Sequence, residues 1–201
     1  MDKITMLLLT LFSITIAKPE CPELVVEPKV KWVYNVTLSR ETKPGKKTIY
    51  NMTLAELNAL SVKKKAKLVK MTTKSFKEMT RVVNHEAGPR MEDKILVAAV
   101  IFNRVHCKQF RNSVIKVINE PGQFYDVKGT RSGSSKDKKA QLAILLAYKR
   151  IQQGDIPHNV LYFNSISFRT KNPKRFTKYK HINNYFIKDS KCKCKWCNGG
   201  H

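Results

Sequence analysis

Glu86 stands where a carboxylate can serve as a proton donor. The segment reads Arg81-Val82-Val83-Asn84-His85-Glu86-Ala87-Gly88-Pro89. Phe76, Met79 and Val83 recur at spacings of three and four, which marks one face of a helix, and Glu86 continues that face. Gly88 and Pro89 are expected to stop the helix, Gly by taking the left-handed cap and Pro because it cannot extend the ladder. The carboxylate is therefore expected at a helix C-terminus and on the core side. Burial and the partial negative charge of a helix C-terminus both disfavour ionisation. A carboxylic acid held protonated near neutral pH is what a general acid needs. Taken alone, the same glutamate also fits a solvated residue at a frayed helix end, since structural carboxylates outnumber catalytic ones. His85 is expected to face elsewhere, because adjacent helical residues diverge by ~100°.

A second cluster lies near the C-terminus. Cys192, Cys194, Cys197 and His201 follow the pattern Cys-x-Cys-x-x-Cys-x-x-x-His. Thiolates and imidazole suit a tetrahedral site, so these four could hold one structural zinc. The rival reading is a disulfide or free thiols on a basic tail, as secretion permits. Cys21 and Cys107 are isolated in the sequence.

The elements that must position these groups are mostly helical. Thr53 and Glu56 form a capping box that predicts a helix to about Lys67. Further helices are expected over Ser75 to Glu86, Met91 to Val105, Ser113 to Asn119, and about Ser135 to Gln153, the last closed by Gly154. The apolar run from Ile95 to Phe102 is too rich for a surface helix and should be the buried central element. Short β pieces are expected at Val160 to Phe163 and Tyr185 to Lys188. The fold class is mainly α with a small β element. Residues 1–17 read as a signal peptide, with Met1-Asp2-Lys3 before an apolar run shorter than the ~20 residues of a membrane span. Residues 18–72 read as an arm with a short helix, 73–190 as the catalytic domain, and 191–201 as a basic Cys-rich tail.

Four pieces in series carry a family resemblance. They are Asn84-His85-Glu86-Ala87, then Ala98-Ala99-Val100-Ile101-Phe102-Asn103-Arg104-Val105, then Pro121-Gly122-Gln123-Phe124, then Leu161-Tyr162-Phe163. In this order and spacing the chain resembles the spore cortex-lytic enzyme and cell wall hydrolase family (SleB/CwlJ-like), over about residues 76 to 187. The resemblance implies a lysozyme-like architecture and cleavage of peptidoglycan glycan strands, with Glu86 as the acid. It places the Gln123 and Phe124 turn beside that acid, and makes Tyr162 and Asn164 further cleft candidates. For Arg104 a helix-anchoring salt bridge is the simpler role. The chain departs from the family pattern near the C-terminus, where Asn184 falls at the position of a histidine and His181 is the candidate substitute.

A glycosidase usually brings a second carboxylate, ~5–5.5 Å away if retaining or ~6.5–9.5 Å away if inverting. Glu78, Glu92, Asp93, Glu120, Asp126 and Asp155 are the candidates, and none stands out. One acid without a partner suits a lytic transglycosylase, the chemistry the resemblance implies, and requires no metal or organic cofactor. The alternatives are a hydrolytic muramidase or glucosaminidase, and a non-catalytic cationic wall- or nucleic-acid-binding protein.

The 201 residues carry a net charge of +24, from 39 Lys and Arg against 15 Asp and Glu. Such a charge favours anionic polymers. For a secreted chain these are peptidoglycan strands and anionic wall polymers rather than a specific nucleic acid. Contact with a membrane is expected only through the signal peptide, and the protein is expected as a monomer, secreted or in the cell envelope.

Overall fold

The computed structural model describes residues 48–124, 133–166 and 169–192. The chain divides into two units at Tyr34, and the first, with the signal-peptide reading, lies outside the described residues. Within the second unit the order is α1 (Leu54–Ala59), α2 (Val62–Leu68), α3 (Thr73–Glu86), α4 (Met91–His106), α5 (Val114–Ile118), α6 (Lys138–Gln153), β1 (Val160–Asn164), β2 (Phe176–His181) and β3 (Tyr185–Asp189). The architecture is mainly α with a small β element, as the periodicities predict. No helix among the described residues is long and apolar enough to cross a membrane.

The capping box forms as predicted: the Thr53 hydroxyl accepts from Glu56 N, and the Glu56 carboxylate accepts from Thr53 N at 2.8 Å. The helix it starts is shorter than expected. Leu60 turns extended, and Ser61 caps a second helix by accepting from Lys64 N. A serine with its own capping option competes with helix propagation. Leu57, Ala66 and Val69 from this region join the main core.

The centre of the molecule is α4, where every residue from Asp93 to Arg104 is buried. It packs on α6 on one side and meets α3, α5 and β1 around its remaining surface. Asp137 caps α6 by accepting from Lys139 N and Ala140 N, and Gly154 closes it in the left-handed conformation.

The sheet is antiparallel throughout, in the order β1-β3-β2. Strand β2 was not expected. Its sequence, Phe-Thr-Lys-Tyr-Lys-His, holds two lysines and no aliphatic residue, which fits an edge strand blunted by charge. Asp189 ties the sheet together. Its buried carboxylate takes two hydrogen bonds from Arg175, at 3.0 and 2.9 Å, and one from Lys191 N.

The pair Asn103-Arg104 joins helix to sheet through backbone carbonyls. Asn103 Nδ2 donates to the carbonyls of Pro157 and Val160, and Arg104 Nε donates to Leu161 O at 2.7 Å. These bonds fix β1 against the C-terminal half of α4.

Candidate functional site

A cleft of about 460 Å³ opens where the end of α3 faces the sheet. Glu86, Gln123, Phe124 and Asn164 line it together. Sequence reasoning brought these four forward, and the fold collects them from three separate segments.

Glu86 is the last residue of α3 and is half-buried. The helix stops differently from the expectation. Ala87 turns extended, with φ −97° and ψ 141°, and Gly88 does not adopt positive φ. Gly88 is needed for space instead. A Cβ there would collide with the Asn183 side-chain amide and stand 3.2 Å from Asp93 Oδ2. That close approach brings the 183–184 turn against the end of α3, where Asn184 Nδ2 donates to Glu86 O at 3.4 Å. Asn184 is buried and lines the cleft itself. His181 does not substitute for it: the imidazole is exposed at the end of β2, stacked on Tyr185 at 4.0 Å.

Asn84 anchors the same helix end from the other side. Its amide nitrogen donates to Asp137 Oδ2, and its carbonyl accepts from Ser134 N at 3.0 Å. In the Asn-x-Glu-Ala motif the asparagine therefore locks the helix to the start of α6.

Gln123 and Phe124 enter on a turn. Gln123 N donates to Glu120 O, Pro121 stands at the second position, and Gly122 has φ +72°. This fits a type II turn, whose third position favours glycine. Phe124 is buried and lies 6.0 Å from the Phe163 ring, which in turn meets Phe186. The Arg104 guanidinium lies 5.0 to 5.4 Å from the rings of Phe110, Phe124 and Tyr162. No ion pair of Arg104 occurs among the described residues, so the expected salt bridge is replaced by cation–π stacking and the bond to Leu161. Burial pulls the Arg104 guanidinium down to about 10, which leaves it charged at neutral pH.

Tyr162 is not in the cleft. Its ring packs on Phe110 and Phe176, at 5.9 and 5.8 Å, and burial pushes its phenol up. Phe163 takes the cleft position instead. His85 lines the cleft too, contrary to expectation, because the open mouth spans more than one helix face. Nothing in the sequence marks Asn184's bond to Glu86.

Among the described lining residues Glu86 is the one carboxylate. Glu78 pairs with Arg81, and Glu92 with Arg150 and Lys180. Asp93 is fully buried beneath Gly88. Glu120 lies in the field of Arg104. Asp126 lies outside the described residues. Of the metal candidates, Cys192 is half-buried, and Cys194, Cys197 and His201 lie outside the described residues.

Comparison with protein-family models agrees with the resemblance. A family model described as Cell Wall Hydrolase matches residues 88–197, beginning two residues after Glu86. A search of curated proteins gives no match. Among solved structures the chain is similar to the catalytic domain of the Bacillus cereus SleB protein, at 30% identity and a TM-score of 0.48. That alignment covers 58% of this chain and 91% of that domain.

Proposed function

The chain belongs to the cell wall hydrolase family, and on that premise we propose that it is a secreted lytic transglycosylase. Its substrate is the peptidoglycan glycan strand, cut between N-acetylmuramoyl and N-acetylglucosamine residues. The observation that carries this reading is Glu86, the one carboxylate among the described residues of a cleft lined otherwise by amides, aromatic rings, Gly122 and the Ser165 hydroxyl.

The chemistry follows from that inventory. Glu86, as the acid, protonates the bridging oxygen, and the C1–O bond breaks to an oxocarbenium-like state. The resulting carboxylate stabilises the positive charge. It then takes the proton of the muramoyl C6 hydroxyl as that oxygen bonds to C1. The products are a free 4-hydroxyl and a 1,6-anhydromuramoyl end, and no water is consumed. Gln123, Asn164 and Asn184 offer amides to N-acetyl and hydroxyl groups, and the half-buried Phe163, backed by the buried Phe124, offers ring surface to a sugar face.

Mass analysis of digested walls tests the mechanism. Transglycosylation yields ends one water lighter than hydrolysis does, and hydrated ends alone would overturn it. Glu86→Gln is expected to lower cleavage by roughly 10²–10⁴-fold, the usual contribution of a general acid. Survival of full activity would remove Glu86 from the role. The tail cluster Cys192, Cys194, Cys197 and His201 is proposed to hold structural zinc, tested by the metal content of the purified protein with its thiols reduced.

A further inference from the structure

A second cavity, of about 350 Å³, lies in the segment between α4 and α5. Cys107 is buried in it and Val105 and Phe110 are half-buried, which gives an apolar base. Lys108, Arg111 and Lys116 are exposed and form the rim. No carboxylate lines it, and none of these three cations makes an ion pair among the described residues. Three like charges around a concave, low-dielectric wall focus a positive potential that an anion relieves.

The cavity is close to the cleft. Phe110 in its wall and Phe124 in the cleft wall both face the Arg104 guanidinium, at 5.0 and 5.2 Å. The two rings are therefore separated by at most about 10 Å, the reach of roughly three extended residues. A glycan strand in the cleft bears peptide branches of that length, with free carboxylates and small aliphatic side chains. We infer that this cavity is a subsite for the anionic peptide stem of the strand, the carboxylates meeting Lys108, Arg111 and Lys116 and the aliphatic groups meeting Val105 and Phe110. The inference rests on the reading of the cleft as a glycan site, and it makes stem-bearing wall the preferred substrate.

The test compares wild type with the triple variant Lys108→Gln, Arg111→Gln, Lys116→Gln. The substrates are wall with intact stems and the same wall stripped of stems by an amidase, both with phosphate polymers extracted. Each exposed ion pair contributes a factor of a few. The triple variant is therefore expected to raise KM about tenfold on stem-bearing wall with kcat unchanged, and to match wild type on stripped strands. Equal KM values on stem-bearing wall, or equal losses on both substrates, would overturn the subsite. So would a loss confined to walls that retain phosphate polymers, which would make such a polymer the occupant. A binding arm separates this inference from the catalytic one. A soluble stem tetrapeptide is titrated against Glu86→Gln protein, following the Asn112 side-chain amide by NMR. Binding that the triple variant abolishes supports the subsite even if wild type cuts neither wall, whereas cleavage without such binding removes the subsite and leaves the cleft reading standing.

Discussion

Close packing at Gly88 helps to position the end of α3 that carries Glu86. Gly88 lets the 183–184 turn press against the end of α3, and Asn184 then reaches Glu86 O. Gly88→Ala must displace that turn. Overpacking of this kind costs about 1–3 kcal/mol. We expect a lower Tm together with a loss of glycan cleavage of tenfold or more, read by thermal unfolding and wall lysis. Gly122→Ala places a Cβ in the left-handed region at a cost of about 1–2 kcal/mol. Tyr162→Phe, in contrast, is expected to leave cleavage near wild type, because the phenol is turned away from the cleft; a large loss of kcat in the same assay would contradict this placement. At this scale Glu86 was legible from helical spacing, whereas Gln123, Phe124 and Asn164 came forward only through the family resemblance. Tyr162 misled because the β1–β3 register shifts between Val160 and Tyr162, and a bulge resets which residue faces which side. No periodicity announces a bulge.

Between elements, a few polar groups do the joining. Asn103→Ala removes two bonds that hold Pro157 and Val160 to α4. A loss of about 1–3 kcal/mol is expected in denaturant unfolding. Glu92 joins three elements, with Arg150 from α6 at 2.7 Å and Lys180 from β2 at 3.1 Å. Burial pushes the Glu92 carboxyl up, but the charges and hydrogen bonds of Arg150 and Lys180 outweigh it and hold the group below its ordinary value of 4.5. A depressed folded pKa gives stability that is fully present above the unfolded value and lost as pH falls through the folded one. Glu92→Gln should therefore lower Tm at pH 7, and the gap to wild type should narrow as pH drops below about 4.5. A gap that widens in acid would reverse the sign. The helices were legible because caps and apolar stripes are local signals. Strand β2 was not, since an edge strand is defined by its pairing with β3 and carries lysines where a buried strand would carry aliphatics.

The molecule as a whole is strongly cationic, at +24. Long-range attraction to an anionic wall is screened over ~10 Å at 0.1 M salt and ~3 Å at 1 M. Retention on purified walls should fall by at least tenfold between these conditions, whereas unfolding should shift little, because the core rests on α4 and its apolar neighbours. Salt-independent retention would point instead to contacts within the cleft. The cleft has a further property of scale. Glu86 and the amide that braces it are 98 positions apart in the chain. A polypeptide still emerging from the ribosome carries Glu86 long before the opposing wall exists. On the proposed reading, the capacity to damage a wall is withheld during synthesis and arises only once Asn184 has been made and has folded back onto the end of α3.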